Sequence, residues 1–180
     1  MAEARWVQDV ADANPDWPLK QVVFVDLTAG DLDAKLDAFQ TLPSVVGVRQ
    51  IIGRAPGEDA VTGTKTLLDN PNFIVGLQNA GRRKLSFDLQ LIPELMGKTA
   101  DLLARAPNTA VALCHAGSPH DRSNNGLAYW ADELRALSVL PQVRCKLSGL
   151  GMFDHNSVSE SFRPIAETCL DQFSPNRVMF

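Results

Sequence analysis

Three apolar runs in this chain end in side chains that can carry charge or move a proton. Val111-Ala112-Leu113-Cys114 runs into His115, Ala116 and Gly117. Val143-Arg144-Cys145-Lys146-Leu147 runs into Ser148 and Gly149, and Val45-Val46-Gly47-Val48 into Arg49 and Gln50. An imidazole titrates near neutral pH. A guanidinium offers paired donors to a carboxylate or an oxyanion, and an ammonium is a compact point charge. In a fourth run, Leu85–Leu91, Asp88 and Gln90 alternate with Phe87, Leu89 and Leu91, so the two polar residues share one face of a strand. The chemistry these types suit is recognition of an anionic or polarised oxygen substrate.

Short apolar runs bounded by turn formers are the pattern of strands buried on both faces, as in parallel sheets. Helix-period and strand-period segments alternate along the whole chain. Strands are expected at Gln21–Leu27, Val45–Ile52, Leu85–Leu91, Val111–His115, Val143–Ser148 and Arg177–Phe180. A helix over Ala2–Ala13 places Trp6, Val7 and Val10 on one face and is stopped by Asn14-Pro15. Asp31 caps a second helix carrying Leu32, Leu36 and Phe39. Asn70-Pro71 opens a third, and Pro93 a fourth that closes near Pro107. Leu127, Trp130, Ala131 and Leu134 mark the next, a packing stripe, and Phe162, Ile165, Ala166, Cys169 and Leu170 the last. A loop with Gly53, Pro56, Gly57 and Gly63 is long enough to be functional. Strict alternation implies an α/β fold with a parallel sheet and right-handed crossovers, about six βα units. In such folds the loops at the carboxyl ends of the strands converge over the chemistry, and His115, Lys146 and Arg49 are all late in their strands.

Composition narrows the function classes. The chain has 180 residues, 45% hydrophobic and 21% charged, with a net charge of -4. One domain over residues 1–180 is expected. A mildly acidic balance gives no support to nucleic-acid binding, which needs a basic face. No apolar stretch approaches a membrane span, and the first residues, Met-Ala-Glu-Ala-Arg-Trp, lack a secretory apolar segment. Cys114, Cys145 and Cys169, without CxxC spacing, read as reduced, buried small hydrophobes of a cytoplasmic protein. No GxGxxG or GxxxxGK[ST] follows a strand, so nucleotide-binding versions of this architecture lose support.

Five segments in order resemble the amidohydrolase superfamily, in the branch of 2-pyrone-4,6-dicarboxylate lactonase and the sugar-acid lactonases. They are Val46-Gly47-Val48-Arg49-Gln50, Leu85-Ser86-Phe87-Asp88-Leu89-Gln90, Leu113-Cys114-His115-Ala116-Gly117, Cys145-Lys146-Leu147-Ser148-Gly149-Leu150 and Ser174-Pro175-Asn176-Arg177-Val178-Met179-Phe180. The resemblance implies a (β/α)8 TIM-type barrel that hydrolyses a lactone or related cyclic ester or amide of a small carboxylic or sugar acid. Two hallmarks of that family are absent: the first-strand His-x-His pair, since the histidines are His115, His120 and His155, and the last-strand Gly-Ser-Asp. The expectation is therefore an incomplete barrel lacking its first strands and its carboxyl-terminal end, inactive in isolation, with Gln21–Leu27 and Arg177–Phe180 as apolar edges that favour oligomerisation.

On the resemblance, His115 is the catalytic residue that polarises the carbonyl and a candidate metal ligand, with zinc or manganese, or no metal, as the cofactor. Arg49, Asp88, Gln90 and Lys146 are the substrate-binding candidates. Each has a bland alternative. His115 also fits a hydrogen-bonded core histidine. Arg49 also fits an ion pair with Asp88, Lys146 a rim lysine paired with an acid, and Asp88 with Gln90 a structural polar pair. His120 and Asp121 are expected in solvent, and His155 carries no pattern. The rival functions are a non-catalytic small-molecule-binding α/β domain with an open sheet, and a degenerate barrel that only assembles with partners.

Overall fold

The computed structural model describes residues 1–55, 64–155 and 158–180. Its centre is a six-stranded sheet in which all neighbours are parallel and the spatial order is the chain order, as the alternation predicts. The strands are β1 (Gln21–Phe24), β2 (Val45–Ile51), β3 (Ser86–Gln90), β4 (Val111–Leu113), β5 (Val143–Lys146) and β6 (Val178–Met179). The helices are α1 (Ala2–Ala13), α2 (Leu32–Gln40), α3 (Pro71–Arg82), α4 (Met96–Leu103), α5 (Asn124–Ser138) and α6 (Ser159–Phe173). The architecture is α/β, a partial TIM-type barrel.

Every strand is shorter than its apolar run, because parallel pairing stops before the hydrophobic residues do. β4 ends at Leu113 rather than His115, since the backbone turns at Cys114. β5 ends at Lys146 rather than Ser148, and β6 holds only Val178 and Met179. Pro93 opens a short 3-10 turn, Pro93–Leu95, that leads into α4. Asn70 caps α3 as expected, its side chain accepting from the Asn72 N–H. Asp31 sits at the start of α2 without a side-chain cap bond, because its carboxylate pairs with Lys35 instead. In α1 the buried face is Ala4 and Gln8 rather than Trp6, which is 67% exposed. Gln8 is drawn inward because its side-chain oxygen accepts from the Ser44 N–H, a main-chain donor that otherwise has no partner. Of the loop after β2, Gly53 is described and buried, whereas Pro56, Gly57 and Gly63 lie outside the described residues.

The period-2 pattern divides the sheet into two faces. Val48, Phe87, Leu89, Val111, Leu113, Val143 and Cys145 pack outward against the helices in one continuous core with Leu36, Phe73, Leu103, Trp130, Leu134, Ile165 and Phe173. Phe73 of α3 meets Phe87 of β3 edge-on, with centroids 6.2 Å apart. Cys145 and Cys169 lie 3.7 Å apart in this layer as free thiols. The opposite, concave face carries Arg49, Asp88, Gln90 and Lys146. Along β1 it carries Val22 and Phe24, which stay exposed and line a cavity of about 420 Å³ with Met1, Val7 and Arg49.

Candidate functional site

The register across β2, β3 and β4 sets Arg49, Asp88 and Ala112 in one row, so the arginine and the aspartate are direct neighbours on the concave face. They do not bond to each other. The Arg49 guanidinium donates to the amide oxygen of Gln90, the last residue of β3. Asp88, 6% exposed, accepts from the Lys146 ammonium at 2.7 Å across β4. The ion pair weighed for Arg49 therefore forms on Lys146. The outcome is uneven among the described residues: Lys146 has a carboxylate partner, whereas Arg49 has a neutral one.

Cys114 closes the same cluster, its thiol 3.7 Å from Oδ2 of Asp88, the oxygen that also accepts from Lys146. Burial, and then the Asp88 charge, push that thiol up to about 11, so it stays protonated and unreactive at neutral pH.

His115 arrives by an unusual backbone. After β4 the chain enters a left-handed turn, with φ of 57° at His115, 51° at Ala116, 72° at Gly117 and 53° at Ser118. Only glycine adopts this region without steric cost, and for the other three residues it costs roughly 1 kcal/mol or more each. Three contacts hold the turn. The Ser118 N–H donates to the His115 carbonyl at 2.8 Å. The Trp130 indole N–H donates to the Ala116 carbonyl at 2.8 Å. Gly117 admits Met96, whose terminal carbon would stand 2.1 Å from any Cβ there. Trp130, read from sequence as packing, thus also fixes the turn. The imidazole Nδ1 then lies 3.1 Å from the Ser148 hydroxyl beyond β5. Burial lowers the proton affinity of His115, and the Arg49 charge lowers it further, so the ring is neutral at neutral pH.

The loops above this rim are tied to one another. His120 is not free in solvent: its Nε2 is 3.0 Å from Glu94 after β3, and its ring meets Phe153 edge-on at 6.3 Å. Asp121 is exposed and binds the Ser123 N–H, while Arg122 donates to the Leu150 carbonyl at 2.7 Å. His155 is exposed. Ser148 and Gly149 were visible in sequence only as part of a motif, and nothing in their spacing assigned them to His115.

The residues around His115 do not make a metal site of their own. Among the described residues no three His, Cys, Asp or Glu side chains come together in a way that could hold a metal ion. The charges nearest His115 include two cations, Arg49 and Lys146, and the one carboxylate, Asp88, is engaged by the lysine.

A concave rim of polar side chains at the carboxyl ends of parallel strands, backed by helices, is the site plan of a TIM-barrel protein. The family model described as Amidohydrolase matches residues 1–180, and the chain belongs to that family. It is 31% identical over 179 residues to the uncharacterized protein y4mH of Sinorhizobium fredii, a match that covers 99% of this chain and 60% of that protein. It is 29% identical over 126 residues to an L-fucono-1,5-lactonase of Burkholderia multivorans, covering 64% of this chain and 43% of that enzyme. Among solved structures, an amidohydrolase from Burkholderia multivorans with bound zinc superposes with a TM-score of 0.82 at 24% identity, over 99% of this chain and 63% of that one. The chain thus spans less than two thirds of the length of these relatives. No helix among the described residues is long and apolar enough to cross a membrane.

Proposed function

We propose that residues 1–180 form a single domain that is part of the substrate-holding rim of a hydrolase opening a lactone, or a related cyclic ester or amide, of a small carboxylic or sugar acid. The observation that carries this reading is the pairing on the concave face. Arg49 is held by the neutral Gln90, while Asp88 neutralises Lys146. Among the described residues the Arg49 guanidinium beside His115 has no carboxylate partner, and it suits a substrate carboxylate or the oxyanion that develops when water attacks a carbonyl. Gln90 aims the guanidinium, Asp88 holds the lysine and is itself met by Cys114, and His115 faces the reacting centre. Asp88 serves the lysine rather than water, so it is not the general base.

Support also comes from family membership and from the lactonase named among the relatives. The donor set favours an anion over a cation at this rim, and the reading routes no step through a metal. A cytoplasmic location belongs to the same proposal, supported by three buried free thiols.

Calorimetric titration with aldonates and small dicarboxylates tests it. Wild-type protein is expected to bind at least one of them, and Arg49→Gln to weaken that binding roughly 10- to 100-fold, the worth of a charge-assisted hydrogen bond. Lactone opening, followed by acid release, is expected to fall with the same substitution in any form of the protein that turns over. Equal affinity in Arg49→Gln would remove the reading. Tight carboxylate binding without hydrolysis by the protein as made in its cell would favour the binding-domain alternative.

A further inference from the structure

The turn after β5 and the imidazole of His115 are fitted to each other at one point. Gly149 has φ of +63°, a left-handed conformation that favours glycine. A Cβ placed on it would stand 2.5 Å from His115 Nδ1, 2.9 Å from the ring carbon Cγ and 2.8 Å from the Met152 sulfur. Unstrained contacts between such atoms are about 3.5–4.0 Å. The imidazole and the thioether therefore share space that any side chain at 149 would have to fill. Of the two, the thioether can yield, since Met152 is 44% exposed and its chain is flexible. The ring has less freedom. Its backbone is set by the left-handed turn that Trp130 and Met96 hold, and the Ser148 hydroxyl lies 3.1 Å from Nδ1. Gly149 is itself exposed, so core packing does not account for the close fit.

We propose that Gly149 is a positioning residue: its bare Cα lets the turn after β5 close on His115 and fix the place of the ring at the rim. Ser148 and Met152 complete the seat, one through its hydroxyl beside Nδ1 and the other through its sulfur. The inference takes its meaning from the lactone-opening reading, on which it rests, and it names the element that holds the imidazole of that site in place. Gly149 acts through His115 and need not touch a substrate. Its effect belongs to rate more than to affinity, because misplacing a reacting group by about 1 Å can cost roughly 100-fold in turnover.

The test follows the ring carbon–proton signals of His115 by NMR in 13C-labelled protein without ligand. The chain has three histidines, and His120→Gln and His155→Gln assign the signals. Wild type is expected to show cross-relaxation from the His115 ring to the side chains of Ser148 and Met152. Gly149→Ala is expected to shift the ring signals and to lose the Ser148 contact. The control is Gly81→Ala in α3, whose Cβ would stand 2.4 Å from Thr109 Oγ1. It is crowded to the same degree far from the rim, and it is expected to lower stability while leaving the His115 signals in place. A folded Gly149→Ala protein with unchanged ring signals and contacts overturns the proposal, as does an equal shift in Gly81→Ala. If Gly149→Ala does not fold, wild type decides: a ring without contacts to Ser148 and Met152 overturns it. On lactone opening by the protein as made in its cell, Gly149→Ala is expected to lower kcat roughly 100-fold and to change KM far less. A displaced ring with unchanged kcat would overturn the positioning role. If no lactone is opened while the ring contacts stand as expected, the failure belongs to the proposed function alone.

Discussion

The two faces of the one sheet are built from the same strands and behave as opposite kinds of material. On the helix-covered face, Val48, Phe87, Leu89, Leu113, Val143 and Cys145 are all fully buried, and each is held by many interchangeable apolar neighbours. On the concave face, Arg49, Asp88, Gln90 and Lys146 are held by one or two specific partners each. Packing energy is spread over area and lost roughly in proportion to the volume removed. A polar network depends on individual partners, and removing one strands another. The outer face therefore carries the stability, and on the proposed function the concave face carries the selectivity.

Two substitutions probe that division. Phe87→Ala empties a fully buried ring site against Phe73. It is expected to cost about 3–5 kcal/mol in denaturant unfolding, with carboxylate affinity unchanged in whatever fraction stays folded. Asp88→Ala is expected to cost less, roughly 1–3 kcal/mol, because the stranded Lys146 side chain is 27% exposed and water can take up part of its charge. Unlike Phe87→Ala, it should strengthen carboxylate binding, since a second positive charge is released beside Arg49. Weaker binding in Asp88→Ala would mean that the aspartate itself touches the ligand, and the comparison would need redrawing.

The smallest effect is the pH dependence. Burial and the Arg49 charge hold the proton affinity of folded His115 below its ordinary value of 6.5. The unfolded chain therefore binds that proton more readily. The stability linked to this group is complete above pH 6.5 and is lost as the pH falls from there through the folded value. Arg49→Gln is expected to raise the folded value towards 6.5 and flatten that slope, which stability curves at several pH values would show.

The outer face was legible in the sequence and the concave site only in part, for a physical reason. Alternation over Phe87, Asp88, Leu89 and Gln90 is a property of consecutive residues, so the faces could be assigned before any coordinates. The partner of Arg49 depends on register between strands, and register placed Asp88 within reach of both Arg49 and Lys146. The choice between them rests on side-chain length and angle. Trp6 misled because a regular helix stripe says which residues share a face without saying which face is covered. The left-handed turn at His115 carries one glycine among its four residues, too weak a signal for a turn that is held by Trp130 and Met96 from distant segments. Ser148 and Gly149 act on His115 only through the β4–β5 pairing.

The sequential order of the strands bears on how the protein is made. Each strand after β1 pairs with the strand synthesised immediately before it, Val45 in register with Gln21 and Val143 with Val111, with helical segments between them. Among the six described strands every pairing joins neighbours in sequence order. As residues leave the ribosome, each new unit finds its neighbour already in place, and the sheet can lengthen one βα unit at a time. The rim is then assembled in the same order, with Arg49 first, then Asp88 and Gln90, then His115. Lys146 and Ser148 follow them, so the charge that balances Asp88 and the turn that meets His115 appear together.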